Sequence, residues 1–264
     1  MKKTRILTMD NITERTRSTK ALAIVYPTEA GGAKLENLDK YAAQFDSNYP
    51  NYSDARYSEI LALVARYDSN TASKVLTSDS LKQVLEIILP LIAIKNYKSQ
   101  IPFPEDVISA IEAILNVRKV SIDASDRFKN LEQVFNTLVA TQGFQLPTIS
   151  AVFHFCHPDY FPIVDRNVQA ACKALIDQSP ELAGYEYPEL PAPGTSAANK
   201  LKKYRQFIQV IDKLLGSNLE KQKINDYRSL DKALMVLGAI ELKNKTKKTN
   251  KRNQTKGTDL FSEK

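Results

Sequence analysis

The sequence predicts an all-α protein, and three observations support this fold class. From Leu35 to Leu242, apolar residues recur three and four positions apart, which is the spacing of one face of a helix. No convincing run of alternating apolar and polar residues, the pattern of a half-buried strand, interrupts them. The composition, 43% hydrophobic and 25% charged, is that of an ordinary globular protein. We therefore expect a multi-helix domain over about residues 21–241.

The predicted helices begin at capping residues and stop at proline or glycine. Ser53 and Asp54 offer a cap for one helix, and Pro104 with two following acids suits the first turn of another. Pro90 must kink or divide its segment, because proline has no amide donor. Residues 21–26 are too short an apolar run to decide between a strand and a helical turn. The apolar stripes that mark the helices cover residues 35–42, 57–64, 81–89, 107–115, 128–139, 168–175, 201–215 and 227–242.

Two segments lack a helical pattern. Residues 179–194 contain four prolines and predict a long surface loop. Residues 242–264 are rich in lysine, asparagine and threonine and have no apolar face, so we expect a disordered basic tail.

The net charge of +7 is concentrated at the two ends of the chain. Residues 242–264 hold eight Lys/Arg and two acids, or +6, and the basic N-terminal segment 1–20 holds six Lys/Arg and two acids, or +4. Subtracting both from +7 leaves −3 for residues 21–241. A basic tail favours nucleic acid without sequence preference, but it also keeps many proteins in solution. Charge alone therefore does not identify a nucleic-acid-binding protein.

Cysteine usage and hydropathy point to a cytoplasmic protein without a membrane partner. Cys156 and Cys172 cannot build a disulfide framework, so a reduced compartment is expected. No apolar stretch of the signal-peptide type follows the basic N-terminus. The longest apolar run, Ile87–Ile94, is broken by Pro90 and is too short to span a bilayer.

His154, Cys156 and His157 lie close together in sequence and raise the question of a zinc site. On a helix, positions 154 and 157 share a face, but position 156 does not, and a fourth ligand is missing. We therefore expect these side chains to serve packing, and we expect neither a metal nor a cofactor.

Residues 141–168 carry the most specific pattern of the chain. They predict a helix, a tight turn at Gly143, a second helix with Pro147 at its first position, and an extended run that ends at Asp165. A helix-hairpin-helix of this kind binds the backbone of duplex DNA, because amides exposed at the start of the second helix, together with the helix dipole, hold a phosphate.

Residues 143–168 resemble the hairpin and following aspartate of the helix-hairpin-helix DNA glycosylase superfamily, the base-excision repair fold typified by endonuclease III. With Gly143 on the first motif glycine, Asp165 falls on the family's catalytic aspartate 22 positions later without a gap. The run Val164-Asp165-Arg166-Asn167-Val168 then lies on the family's V-D-T-H-V, and Thr148 lies on the motif threonine. Residues 227–234 are also similar to the closing helix of uncharacterised members.

This resemblance implies a multi-helix glycosylase-like fold, duplex DNA as partner and Asp165 as the catalytic residue. The end of the tail, residues 257–261, is similar to the peptide with which bacterial repair proteins bind the sliding clamp, which makes that clamp a further candidate partner. The resemblance places the DNA-binding contacts at Gly143, Phe144, Gln145, Leu146, Thr148 and Ser150.

The chain also departs from the family pattern. Gln145 replaces the second motif glycine, and Pro147 stands where bifunctional members carry the lysine that forms a Schiff base. No four-cysteine cluster for an iron–sulfur centre is present. The resemblance therefore implies a monofunctional enzyme, in which Asp165 activates water or stabilises an oxocarbenium-like sugar while the target base is flipped out.

Other interpretations remain open. Asp165 is also a suitable N-cap for the helix that follows it, and Gly143 could simply end a helix in a pair that does not bind DNA. The alternative function is a non-catalytic module that binds DNA or a protein through the same fold. A helical protein without any nucleic-acid role is a third possibility.

Overall fold

The structure is a computed structural model that describes residues 35–55, 57–59, 61–62, 110, 113–114, 122, 126–141, 144–219 and 224–258. All regular secondary structure in these ranges is helical, which confirms the predicted all-α class. The predictions for residues 1–34, for most of 63–121 and for 259–264 lie outside the described residues, as does the predicted turn residue Gly143.

Seven α-helices have bounds that the described residues define. Short 3-10 turns lie at Leu35–Asn37, Pro50–Tyr52 and Pro180–Leu182. The helices are α1 (Leu38–Ala43), α2 (Phe45–Asn48), α3 (Glu132–Ala140), α4 (Leu146–Cys156), α5 (Arg166–Gln178), α6 (Ala197–Leu219) and α7 (Tyr227–Thr258).

Helix α7 is the element against which α5, α1 and α2 pack. It lies very close to α5 at Gly238, where a Cβ atom would lie 1.9 Å from the backbone carbonyl oxygen of Asn167. Only glycine leaves enough room for this contact, because no real Cβ atom approaches backbone so closely. The first turn of α5 is therefore held against the middle of α7.

An aromatic cluster forms the core between α3, α4 and α6. Phe128 lies with its ring centroid 5.2 Å from that of Phe161, 5.5 Å from that of Phe153 and 5.5 Å from that of Tyr204. All four side chains are fully buried, and Phe135 adds a fifth buried ring. The hydroxyl group of Tyr204 donates to the carbonyl oxygen of Pro162 at 2.8 Å, so the core also fixes the extended segment that precedes α5.

The loop at 179–194 agrees with the structure, in which only the 3-10 turn at 180–182 interrupts an irregular segment between α5 and α6. The tail differs from its prediction: α7 continues as a helix through Thr258, so disorder over 242–258 is not confirmed. Lysine, arginine and glutamine all favour helix, and no proline stops it.

No helix in the described part of the chain is both long and apolar enough to cross a membrane.

Candidate functional site at the start of helix α5

A buried serine positions the segment that leads to Asp165. Ser150 lies in α4 with no exposed surface, and its hydroxyl oxygen accepts a hydrogen bond from the amide of Val164 at 3.0 Å. The same hydroxyl donates to the carbonyl oxygen of Pro147 at 2.9 Å. Ser150, one of the predicted DNA contacts, therefore joins α4 to the residue directly before Asp165.

Asp165 is the N-cap residue of α5, as its alternative interpretation predicts. Its backbone is extended, with φ −146° and ψ −170°, and its Oδ1 atom accepts a hydrogen bond from the amide of Val168 at 2.8 Å. The side chain is partly buried. Burial raises the pKa of this carboxyl, and hydrogen bonds from the amides of Val168 and Asn167 offset part of that rise. The result is a fixed carboxylate that is more basic than an exposed aspartate.

A second carboxyl, that of Asp231 on α7, lies within electrostatic reach of Asp165. Asp231 is 8% exposed, and burial raises its pKa to about 7 although the guanidinium of Arg228 lowers it. The charge of Asp165 raises this pKa further. Tyr52 faces the same region: burial raises the pKa of its hydroxyl, and the charge of Asp165 adds to that effect.

Arg228 joins this region to the N-terminal helices. Its Nη1 atom lies 3.1 Å from Oδ2 of Asp231, and its Nη2 atom donates to the carbonyl oxygen of Tyr52 at 2.7 Å. The guanidinium also lies over two aromatic rings, 4.5 Å from the centroid of Tyr57 and 4.8 Å from that of Phe45. An arginine held from so many sides orients the Asp231 carboxyl as well as neutralising part of its charge.

His154 lies behind this cluster as a neutral buried imidazole. Its Nδ1 atom is 2.7 Å from the carbonyl oxygen of Phe161, which can only accept, so Nδ1 carries the proton. Its Nε2 atom therefore accepts from the hydroxyl group of Tyr57 at 2.8 Å. Burial lowers the pKa of His154 to about 4. Both ring nitrogens are engaged in these hydrogen bonds, which leaves neither as a metal ligand.

The other two side chains considered for a zinc site, those of Cys156 and His157, are also in the core. Nε2 of His157 lies 2.7 Å from the carbonyl oxygen of Ile114, and burial raises the pKa of the Cys156 thiol to about 12. Among the described residues, no three His, Cys, Asp or Glu side chains are grouped so that they could hold a metal ion.

The predicted hairpin contacts are mostly core side chains. Phe144 and Leu146 are each 1% exposed, and Thr148 is 4% exposed. Among the predicted contacts that the structure describes, only Gln145 is partly exposed; it is the N-cap residue of α4, but its side chain makes no capping hydrogen bond. The side chains of Phe144, Leu146 and Thr148 are therefore not available as surface contacts.

A lysine that sequence reasoning missed lies beside this turn. Lys200, in the first turn of α6, is 3% exposed, and its Nζ atom donates to Oε1 of Gln145 at 3.3 Å. The two residues are 55 positions apart, and no local sequence pattern predicts such a pairing. The arrangement places one positive charge against the N-terminus of α4.

A shallow acidic depression of about 640 Å³ lies elsewhere, at the C-terminal end of α5. Asp177, Glu186 and Glu189 line it together with Tyr187, whose ring is covered by the ammonium group of Lys173 at 4.0 Å. Asp177 lies twelve positions after Asp165, or about 18 Å along the axis of α5. Its acidic lining is unsuited to a phosphate or another anion.

No protein-family model, curated protein or solved structure matches this chain. Its function must therefore be inferred from its own residues and their geometry.

Proposed function

We propose that this protein binds duplex DNA and acts as a monofunctional base-excision glycosylase, with Asp165 as the essential carboxylate. The motif resemblance over residues 143–168 suggests the class of reaction. One structural observation carries the proposal: Asp165 is a partly buried carboxylate of raised pKa, fixed by backbone amides of α5 and placed beside a second carboxyl.

The geometry suits hydrolysis of an N-glycosidic bond. As the bond breaks, positive charge develops on the sugar, and a carboxylate that is already oriented stabilises this charge without further reorganisation. The same carboxylate takes a proton from the attacking water, and its raised pKa makes Asp165 a better base than an exposed aspartate. A target base must leave the duplex to reach such a site.

Two positive regions support binding to the DNA backbone. At the start of α4, the positive end of the helix dipole lies beside the ammonium group of Lys200. The second region is the C-terminal part of α7, where Lys243, Lys245 and Lys247 are exposed. Because residues 21–241 carry a net charge of −3, attraction to phosphate is expected mainly from the basic ends of the chain, and Lys200 adds a local positive charge at α4.

The enzymatic proposal is tested with purified protein on duplexes that contain alkylated, deaminated or oxidised bases. We expect abasic sites to form with at least one of them and to disappear with Asp165→Asn, which keeps the helix cap but removes the charge. Asp177→Asn, the same change at the other end of α5, is the matched control and should leave activity unchanged. Absence of activity on every duplex, or full activity of Asp165→Asn, would contradict the proposal.

A non-catalytic DNA-binding module is the second candidate, and one observation favours it. The hydrogen bond from the amide of Val168 gives Asp165 a structural role that needs no chemistry. Salt-dependent DNA binding would separate the contributing regions, since the affinity falls more steeply with salt when more phosphates are contacted. Binding that persists without residues 243–264 but weakens with Lys200→Gln would locate it at α4, whereas binding lost with those residues would locate it at the end of α7.

A further inference from the structure

The C-terminal half of α7 carries only positive charge and begins with a segment that is exposed on all sides. Residues 243–247 are exposed at every position, and five consecutive positions cover more than one full turn of a helix, so no side of α7 is covered there. Residues 243–258, which we call the basic extension, are about 24 Å long. They contain no acidic residue and seven basic ones: Lys243, Lys245, Lys247, Lys248, Lys251, Arg252 and Lys256.

The basic extension is a helix whose own charges oppose helix formation. Basic residues recur four positions apart, in the pairs 243/247, 247/251, 248/252 and 252/256, and like charges at this spacing repel each other along a helix. A polyanion that binds the helix removes this repulsion, so binding and helicity support each other. A lipid surface fits poorly, because a helix in the membrane interface needs an apolar face and residues 243–258 include no large apolar residue.

The basic residues leave one side of the extension uncharged. At about 100° per residue, five residues fall within a strip about 100° wide that contains no basic position: Thr246, Thr249, Asn250, Asn253 and Gly257. Basic positions border this uncharged strip on both sides, at Lys243 and Lys256. The extension therefore has a neutral polar strip between two positive margins.

The uncharged strip lies on the side of α7 that meets α5. Position 249 follows Gly238 by eleven residues, which is close to three full turns and about 16 Å along the helix. Gly238 contacts the backbone of Asn167, two residues after Asp165. A duplex that lay against the strip would therefore be on the same side of α7 as the start of α5, where the candidate carboxylate is located.

We propose that the basic extension lies in the major groove of duplex DNA, with its uncharged strip towards the base edges and its basic residues towards the phosphates on both sides. This inference rests on the proposed DNA binding and deepens it, since it names the groove and adds recognition of bases to the backbone contacts. The major groove is about 12 Å wide and accepts a helix about 10–12 Å in diameter. Asparagine pairs with the N6 and N7 atoms of adenine, so Asn250 and Asn253 predict a preference for adenine.

The test measures binding of the full-length chain to three duplexes of equal length, by fluorescence anisotropy over a series of salt concentrations. The first duplex contains A·T pairs, and the second contains only G·C pairs. The third has the first sequence with 7-deazaadenine in place of adenine, which removes the N7 acceptor from the major groove and leaves the minor groove unchanged. We expect the first duplex to bind about fivefold or more tightly than either of the others.

Two double variants separate base contacts from phosphate contacts. Asn250→Ala with Asn253→Ala should abolish the preference for the first duplex and leave the salt dependence unchanged, because no charge is removed. Lys247→Gln with Lys251→Gln should weaken binding to all three duplexes. It should also reduce the slope of log affinity against log salt concentration by about 2, since two phosphate contacts are lost.

The matched control is Lys40→Gln with Lys213→Gln, which removes the same charge from exposed positions of α1 and α6 and should change neither readout. Circular dichroism checks that every variant is folded. The proposal is overturned if the wild type binds the three DNA duplexes equally, or if either double variant behaves as the wild type does. It is also overturned if double-stranded RNA of the first sequence binds as tightly as the DNA, because the major groove of RNA is too narrow for a helix.

These outcomes leave the proposed function standing, because the protein still binds duplex DNA and its excision activity is measured separately. If the wild type binds none of the DNA duplexes at low salt, the proposed function itself is refuted, and the role of the basic extension with it.

Discussion

The buried carboxyl of Asp231 makes a quantitative prediction about stability that does not depend on catalysis. Its pKa is about 7 in the folded protein and 3.8 as an ordinary aspartate. Between these values the folded state holds a proton that the unfolded chain has released, so the free energy of unfolding must decrease as pH rises through this range. The cause is the cost of burying the charged form, which Arg228 only partly offsets.

The magnitude follows from the size of the shift. A difference of about 3 pKa units, at about 1.4 kcal/mol per unit, amounts to about 4 kcal/mol between about pH 4 and about pH 7. Asp231→Asn cannot ionise and escapes this loss. At about pH 4 the variant and the wild type should be nearly equal in stability, because the aspartate is then neutral as well. At about pH 8 the variant should be more stable by up to about 4 kcal/mol.

His154 makes the free energy of unfolding depend on pH in the opposite direction, and in the wild type this masks the effect of Asp231. Its pKa is about 4 when folded and 6.5 as an ordinary histidine. Between these values only the unfolded chain is protonated, so stability increases by about 3 kcal/mol as pH rises. We therefore expect a nearly flat wild-type profile between about pH 4 and about pH 6.5. Asp231→Asn should reveal the rise due to His154.

The assay is urea denaturation of both proteins at a series of pH values, followed by far-ultraviolet circular dichroism. Helical signal is the suitable probe, because the chain has no tryptophan. The quantity to compare is the difference in free energy of unfolding between Asp231→Asn and the wild type, in which the contributions of all other groups cancel. A difference that stays constant from acid to alkaline pH would refute the reasoning, whatever its absolute value.

Three further predictions concern neighbouring residues. His154→Gln should become more stable as pH falls from about 6.5 to about 4, measured by the same urea series, whereas the wild type stays nearly constant, because the imidazole protonated in the unfolded chain is gone and the dependence due to Asp231 remains. Gly238→Ala should destabilise the fold by about 3 kcal/mol or more, since its methyl group would lie 1.9 Å from the Asn167 carbonyl oxygen; thermal unfolding within about 1 kcal/mol of the wild type would contradict this contact. Asp165→Ala should cost about 1 kcal/mol through loss of the cap on the Val168 amide, whereas Asp165→Asn should cost nothing, and equal losses in the two variants would show that capping is not the structural role.

Local sequence signals, such as capping residues, predicted a helix end correctly where no other interaction overrides them. The start of α5 at Asp165 follows from the capping preference of aspartate, and the structure confirms it. The end of α6 shows the opposite case: Gly216 predicts a stop, but the helix continues to Leu219. Glycine inside a helix costs only about 1 kcal/mol relative to alanine, so Gly216 alone does not end α6.

The motif alignment could predict which residues form the hairpin, but not which of their side chains are exposed. It predicted that Phe144, Leu146, Thr148 and Ser150 face DNA, yet the structure buries all four side chains. Periodicity identifies an apolar face without identifying the partner of that face, and a turn motif says nothing about which of its atoms remain accessible. The pairing of Lys200 with Gln145 was beyond prediction for the same reason, since it joins two distant segments.

The position of Asp231 on the face of α7 that meets α5 explains why it is buried and lies within electrostatic reach of Asp165. Asp231, Met235 and Gly238 are spaced four and three positions apart, so they lie on one side of the helix. Gly238 contacts the backbone of Asn167, and the Sδ atom of Met235 accepts a weak hydrogen bond from its side chain at 3.7 Å. These contacts fix α7 against the first turn of α5 and so carry Asp231 to the capping carboxyl. A helix that served packing alone would be more stable with an apolar residue at position 231, because burying a charge there costs stability that Arg228 does not fully restore. The carboxyl at position 231 is therefore kept at a cost to the stability of the fold.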